Sequence, residues 1–297
     1  MTDRSARVTV VIATRDRRAS LERTLRRLTA LPDRVAVTVV DNGSSDGTAA
    51  MVRGFPAVRL VALAANRGAL ARDVGVELAR TPVVAFADDD SWWESGALDR
   101  AADLFERHPR LAVAVARVVL TGGEHDGVDR VSRKMRRAVL GTEPGLPGPS
   151  VLGFPACAAI CRRRAFLAVG GFSELLFFGG EETLLALDLA AAGWGLAYVD
   201  DLVAWHAPAS DRESSPQRWA RQARNDVLVE WLRRPVRVAA ASTVALAARS
   251  VRDPAARSAA AGVLRRLPAA LAGRRPVPPD LERRFVLAHA PMPADEP

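Results

Sequence analysis

The chain has little lysine, tyrosine or cysteine. Of the 42 basic residues among 297, only Lys134 is a lysine, and aromatic residues make up 5% of the chain, with a single tyrosine. A nucleic-acid platform, which interleaves cations with stacking rings, is therefore excluded. Two cysteines, Cys157 and Cys161, stand four apart with no second pair to complete a zinc site. They read as free buried thiols of a reducing compartment, both on one face if the segment is a strand. Long hydrophobic runs are also missing. The opening MTDRSARVTVVIATRDR has too short an apolar run and the wrong flanks for a signal peptide. The uncharged stretch 144–161 is broken by Pro147, Pro149 and Pro155, so it predicts no spanning helix. A cytoplasmic location is the expectation. No GxGxxG follows the first apolar run, and no Gly-Lys-Ser/Thr loop occurs anywhere, which disfavours dinucleotide and P-loop folds.

What is present is a repeated alternation of strand and helix patterns. Hydrophobic residues make up 49% of the chain and the net charge is +8, enough for one large α/β domain with a helical appendage. Arginine supplies that charge as a solvated surface, or as attraction to phosphates or an anionic membrane. Strands are expected at Val8–Ala13, Val35–Val40, Val58–Leu63, Val83–Ala87, Leu111–Val115 and Ala156–Cys161, with short ones at Leu196–Val199 and Leu202–Trp205. Helices are expected between them, one entered through Asp46 as N-cap, and over Ser95–Arg107, Pro216–Arg233 and the Ala/Arg-rich remainder. Such alternation predicts a mostly parallel sheet flanked by helices. From Arg117 to Ser150 the pattern dissolves into loops around a basic segment, Arg130–Arg137. Beyond Pro235 two or three helices and a loose tail are expected.

Two acidic clusters carry the chemistry. FADDDSWW places Asp88, Asp89 and Asp90 just after the apolar run Val83–Ala87, at the strand edge where open α/β sheets bind ligands. Three adjacent carboxylates need a counter-charge, which a divalent cation carrying phosphates supplies. The plainer alternative is an acidic turn with Ser91 as the next helix's N-cap. In GGEETLLALDLAAAGW, Glu181 and Glu182 fall at a helix N-terminus, where the macrodipole stabilises their charge, and Gly193 closes that helix.

Taken in order, VTVVIATRDR, VTVVDNGSSDGT, ANRGALARDVGVELARTPVVAFADDD and GGFSELLFFGGEETLLALDLAAAGW resemble a family 2 glycosyltransferase of the GT-A fold, over about Val8 to Pro235. The resemblance implies a nucleotide-binding half at about 1–116, an acceptor half at about 150–235, and a helical extension and tail at 236–297. It implies an inverting transfer from a nucleotide-diphosphate sugar to the hydroxyl of a glycan, lipid or small molecule, with Mn²⁺ or Mg²⁺. Thr14, Arg15, Asp41 and Arg67 match positions lining the nucleoside, and Asp88 and Asp89 match positions near ribose and metal. Asp90 matches the usual metal ligand, and His206 a position that completes the metal shell or contacts diphosphate. Arg224, and less so Arg221, are candidates to neutralise diphosphate. The pattern places the base at Glu182, with Glu181 on the acceptor or the helix start. Asp41 alternatively serves an Asx-turn.

Two departures stand out: Glu181–Glu182 where the family often has Glu-Asp, and Asp73 where relatives often carry Asn. A nucleotidyltransferase, or a degenerate transferase domain acting as a binding module, are the rival readings. The Ala-rich C-terminal helices leave peripheral contact with the inner membrane face as an option.

Overall fold

The computed structural model describes residues 6–33, 35–122, 126–208 and 215–290. Strands β1 (Val8–Thr14), β2 (Ala36–Asp41), β3 (Val58–Ala62) and β4 (Val83–Ala87) run parallel in the order β3-β2-β1-β4. The sheet continues through β5 (Ser91–Trp93), β6 (Leu111–Leu120), β7 (Gly127–Val128), β8 (Ala159–Arg162) and β9 (Gly195–His206), arranged as β8-β6-β9-β5 with β7 on β6. Here the pairing is mixed. β8 is antiparallel to both β4 and β6, whereas β6 and β9 are parallel.

Eleven helices accompany the sheet among the described residues: α1 (Arg18–Thr29), α2 (Thr48–Arg53), α3 (Leu70–Leu78), α4 (Ala97–Arg107), α5 (Arg130–Arg136), α6 (Arg163–Ala168), α7 (Glu181–Ala191), α8 (Pro216–Arg233), α9 (Val236–Ser250), α10 (Pro254–Ala272) and α11 (Pro279–His289).

The β-branched run of β1 suits a strand buried on both faces. Val8, Val10 and Ile12 pack in one core with Leu21, Leu25 and Leu28 of α1 and Phe105 of α4. Val11 points the other way, into a second core with Val76 of α3, Phe86 and Phe166. α3 approaches β1 so closely that a Cβ at Gly75 would sit 2.3 Å from Val11 Cγ1. Only glycine permits that contact.

Several expectations need correction. The strand expected from Ala156 begins at Ala159, because Ala156–Ala158 forms a single 3₁₀ turn. Cys157 and Cys161 consequently enter opposite cores rather than sharing a face; both are free and buried. The two short strands after Leu196 are one strand, β9, with a register shift against β6 at Ala116/Arg117. Its interruption, Asp200, is held in place by the Tyr198 hydroxyl at 2.6 Å and by Arg117 and Arg136. Ser91 is not a helix cap: it lies in β5, and its Oγ accepts from the Asp88 N–H at 2.7 Å. Asp46 stands one residue before the cap. Gly47 occupies the cap with φ +84°, while the Asp46 carboxylate accepts from Thr48 and Arg18 N–H groups. The irregular stretch after Arg117 contains the last part of β6, then β7 and α5, whose start Asp129 caps by accepting from Ser132 N–H.

At the C-terminus α9 and α10 close a small core with α8 around Ala220, Val227, Leu246 and Val263. α11 adds Leu281 and Phe285 to a core shared with Leu184, Leu187 and Leu228. The expected loose tail, 291–297, lies outside the described residues. Among the described residues no helix is long and apolar enough to cross a membrane.

Candidate active site

Parallel strands deliver their side chains at one edge. Thr14 ends β1, Asp41 ends β2, and the acidic triplet follows β4. Thr14, Asp41 and Asp90 are all buried. The Asp41 carboxylate accepts from Ser44 N–H at 2.9 Å, an Asx-type turn that shapes the following loop. Next to it Asn42, which the sequence did not single out, accepts from Arg67 N–H at 2.7 Å and donates to Gly68 O at 3.0 Å. Arg67 is thus placed through its backbone, and its side chain is exposed.

The three acids face different partners. Asp88 pairs with Arg72 of α3 at 2.7 Å. Asp89 accepts from the Thr14 hydroxyl at 3.3 Å and from Arg17 Nε at 3.4 Å. Burial, then Asp90 and Asp88, push the Asp89 carboxyl up to about 6, against the pull of Arg17. Asp90 Oδ1 lies 3.3 Å from His206 Nε2, at the end of β9. The triplet is therefore split among two guanidinium groups, those of Arg72 and Arg17, a hydroxyl and a histidine.

Arg72 is the cation that sequence reasoning missed. It is 5% exposed. Burial works against its charge, but Asp88, Glu182 and Glu181 outweigh that and hold its pKa above the ordinary arginine value. It thereby couples the acids after β4 to the acids at the start of α7. Glu181 is buried and Glu182 half-buried. Both carboxyls are pushed upward, mainly by burial; Glu181's charge adds to the shift at Glu182, and Arg72 opposes the shift at both.

The segment 176–180 (LFFGG) connects these groups. Phe177 adopts φ +66°, and its carbonyl accepts from Ala69 N–H at 2.6 Å. A Cβ at Gly68 would stand 2.1 Å from that oxygen, so the approach requires glycine. From the other side Asn225, fully buried in α8, places its amide nitrogen against the carbonyls of Leu176, Phe178 and Gly179. Arg224 sits beside it, donating to Asn225 Oδ1 at 2.9 Å and to Leu176 O at 3.1 Å. Arg224 is therefore turned to the segment and to α10, while Arg221 reaches the open space. Neither Asn225 nor Arg72 carries a sequence signal that separates it from its neighbours.

Two clefts result. The first, of about 270 Å³, is lined by Thr14, Arg15, Asn42, Arg72, Asp88 and Asp89, among others. The second, of about 310 Å³, is lined by Glu181, Glu182, Thr183, Arg218 and Gln222. Phe178 and Arg221 line both, with the guanidinium 5.5 Å from the ring centroid. Asp41, Arg67, Arg224, Asp90 and His206 stand outside the lining of either cleft. Among the described residues no three His, Cys, Asp or Glu side chains converge on a metal-sized point. Asp90 with His206 offers one oxygen and one nitrogen donor, a set that suits Mn²⁺ better than Mg²⁺, whose ligands are oxygens.

Comparison with known proteins gives the family and the fold. A family model described as "Glycosyl transferase family 2" matches residues 9–170. The chain is 30% identical over 232 residues to an N-acetylglucosaminyl-diphospho-decaprenol L-rhamnosyltransferase of Mycobacterium tuberculosis, covering 66% of this chain and 74% of that one. It is 32% identical over 197 residues to a pre-mycofactocin glycosyltransferase of the same organism, covering 64% of this chain but only 40% of the relative. Among solved structures, a mannosyltransferase from Pyrobaculum calidifontis in complex with GDP-Man and Mn²⁺ superimposes with a TM-score of 0.58 at 20% identity, covering 96% of this chain and 86% of the other. That likeness establishes the fold.

Proposed function

The chain belongs to glycosyl transferase family 2, and from that premise we propose that this glycosyltransferase moves a sugar from a nucleotide-diphosphate donor to an acceptor hydroxyl, with inversion at the anomeric carbon. The observation that carries this reading is the shared wall. A cleft bordered by Arg15, Arg72 and the acids after β4 meets a cleft bordered by Glu181 and Glu182 at Phe178 and Arg221. An inverting displacement needs that layout, with the leaving group on one side of the anomeric carbon and a base on the other.

In this reading Thr14 and Arg15, with Asp41 shaping the loop beside them, position the nucleoside, and Asp88 and Asp89 lie near the ribose and the metal. Arg221, which reaches both clefts, faces the diphosphate more directly than Arg224. Asp90 and His206, behind the cleft, are the residues that would hold a divalent cation; Asp88 is committed to Arg72. Such a cation supplies charge neutralisation for the departing diphosphate.

Glu182 takes the proton of the acceptor hydroxyl as that oxygen bonds to the anomeric carbon and the carbon–diphosphate bond breaks. Its upward shift from burial and from Glu181 suits a general base working near neutrality. Glu181, buried beside it with Oε2 lacking a hydrogen bond among the described residues, orients the acceptor or the start of α7. The free buried thiols support a cytoplasmic site of action. The catalytic unit is residues 1–235. We assign 236–297 to assembly, or to peripheral contact with the inner face of a membrane through the exposed Arg237, Arg249, Arg252 and Arg257.

Donor breakdown with and without Mn²⁺ tests the reaction class. Free sugar with nucleoside diphosphate supports transfer to water in place of the acceptor. Sugar 1-phosphate with nucleoside monophosphate instead means attack on the α-phosphate, the chemistry of a nucleotidyltransferase. Asp90→Ala is expected to abolish metal-dependent donor binding in a thermal-shift assay while the apo protein stays folded. Unchanged metal dependence in that variant removes Asp90 from the site.

A further inference from the structure

A third cleft, of about 370 Å³, opens beside the Glu181–Glu182 cleft. Its walls are apolar: Val131 and Met135 from α5, Val139 and Leu140 after it, and Leu152 and Phe154 from the stretch before β8. Phe154 and Thr183 line this cleft and the Glu181–Glu182 cleft alike, so the two adjoin. Val131 is 43% and Val139 49% exposed, an apolar surface held open at the edge of the site. Lys134 also lines it, and Arg130 and Arg133 on the same helix are exposed. The groove thus has hydrocarbon walls along its length and one cation, Lys134, in its lining, with the two glutamates in the adjoining cleft.

We propose that this groove is a binding subsite for the hydrocarbon part of an amphipathic acceptor, whose hydroxyl sits at Glu182. The inference rests on the transfer reading, because it takes the Glu181–Glu182 cleft as the place where the acceptor hydroxyl reacts. The size is that of an ordinary small-ligand site, and burying an apolar group there removes the exposed valines from water. A fully polar acceptor would leave those walls without a partner. Lys134 in the lining favours an acceptor that carries negative charge next to its apolar part.

The test uses two photoreactive probes on the full chain: octyl glucoside with a diazirine in the alkyl tail, and octyl glucoside with the diazirine on the sugar. The tail probe is expected to label peptides spanning 131–140 and 152–154, and the sugar probe peptides spanning 179–183. Excess octyl glucoside should protect both, and methyl glucoside neither. Val139→Glu and, separately, Val131→Glu should cut tail labelling about tenfold, since a carboxylate in the apolar wall must lose its water to a hydrocarbon tail. Both sites are exposed, so folding is preserved, and the thermal shift given by UDP-, GDP- or dTDP-sugars with Mn²⁺ should be unchanged. Tail labelling elsewhere, sugar labelling away from 179–183, or labelling that ignores both variants overturns the subsite. So does labelling that appears only after removal of residues 291–297, which makes the chain's own end the occupant. A wild-type protein that shows no shift with any nucleotide sugar sinks the transfer reading itself, and that outcome is read independently of where the probes land.

Discussion

On one side of the site, Thr14, Asp41 and Asp88–Asp90 stand at the ends of neighbouring parallel strands, and the ladder fixes their spacing: Thr14 opposite Asp41, Ile12 opposite Ala87. On the other side, Glu181 and Glu182 open α7, which packs on the sheet through Leu185 and Leu189 but whose first turn follows the 176–180 segment rather than a strand. They are held by buried polar bonds between residues far apart in the chain, Asn225 to the carbonyls of Leu176, Phe178 and Gly179 and Phe177 to Ala69, while the charge of Arg72, bonded to Asp88, acts on both glutamates. Arg233 of α8 also pairs with Asp188 of α7. A ladder is redundant, since losing one side chain leaves the backbone register intact. A set of buried polar bonds is not, because each lost partner leaves a desolvated group behind.

The largest expected break in that contrast is at Arg72. Arg72→Met removes the cation common to Asp88, Glu181 and Glu182. Breaking a buried ionic arrangement by deleting one partner typically costs about 3–5 kcal/mol. Chemical denaturation should show a loss in that range, with donor binding weakened as well. A variant as stable as wild type would mean that the acids take up protons or find other cations at no cost.

Glu182→Gln comes next and acts on turnover alone. Glutamine keeps the size and hydrogen bonding but takes no proton. Turnover should fall at least about 10²-fold, equivalent to about 2.7 kcal/mol in barrier, with donor binding intact. Should Glu181→Gln lose turnover and Glu182→Gln keep it, the two residues exchange roles; if both keep it, the base lies elsewhere.

The same contrast decides what could be read from the chain. The parallel half was legible because continuous β-branched runs such as VTVVIA and VTVV announce doubly buried strands, and whatever follows such a run lies at the sheet edge. That reasoning located the triplet after β4 and Asp41 after β2. It failed where tertiary bonds decide. Arg72 is one among 42 basic residues, with nothing local to mark it as buried. Asn225 lies in an Arg-rich helix whose pattern suggests an exposed face. The Asp200–Asp201 pair imitates a turn inside β9, yet ion pairs from Arg117 and Arg136 let the strand continue. The face of Cys157 was misjudged because a 3₁₀ turn breaks the two-residue period at that point.

The smallest effect concerns Asp73, at the seam between the two halves. From α3 it accepts the N–H of Phe172 at 3.0 Å through Oδ2, while Oδ1 is buried without a hydrogen bond among the described residues. Burial pushes this carboxyl up to about 7; Phe172 N–H, Arg67 and Arg72 oppose the shift and Glu77 adds to it. In the unfolded chain the same group titrates near 3.9, as a free aspartate does. Between about pH 4 and pH 7 the folded protein therefore holds a proton that the unfolded chain has released. Stability from this group is complete below that window and declines as pH rises through it. Asp73→Asn keeps the acceptor for Phe172 N–H and cannot ionise, so it removes the decline. Discounted for the partial exposure of the side chain, the effect is of order 1 kcal/mol, or about 2–4 °C in Tm. Melting curves of both proteins at pH 5, 6, 7 and 8 check this: wild type should lose ground to Asp73→Asn across the series. A difference that stays constant with pH would mean that Asp73 is already ionised at pH 5 and that the seam tolerates its charge.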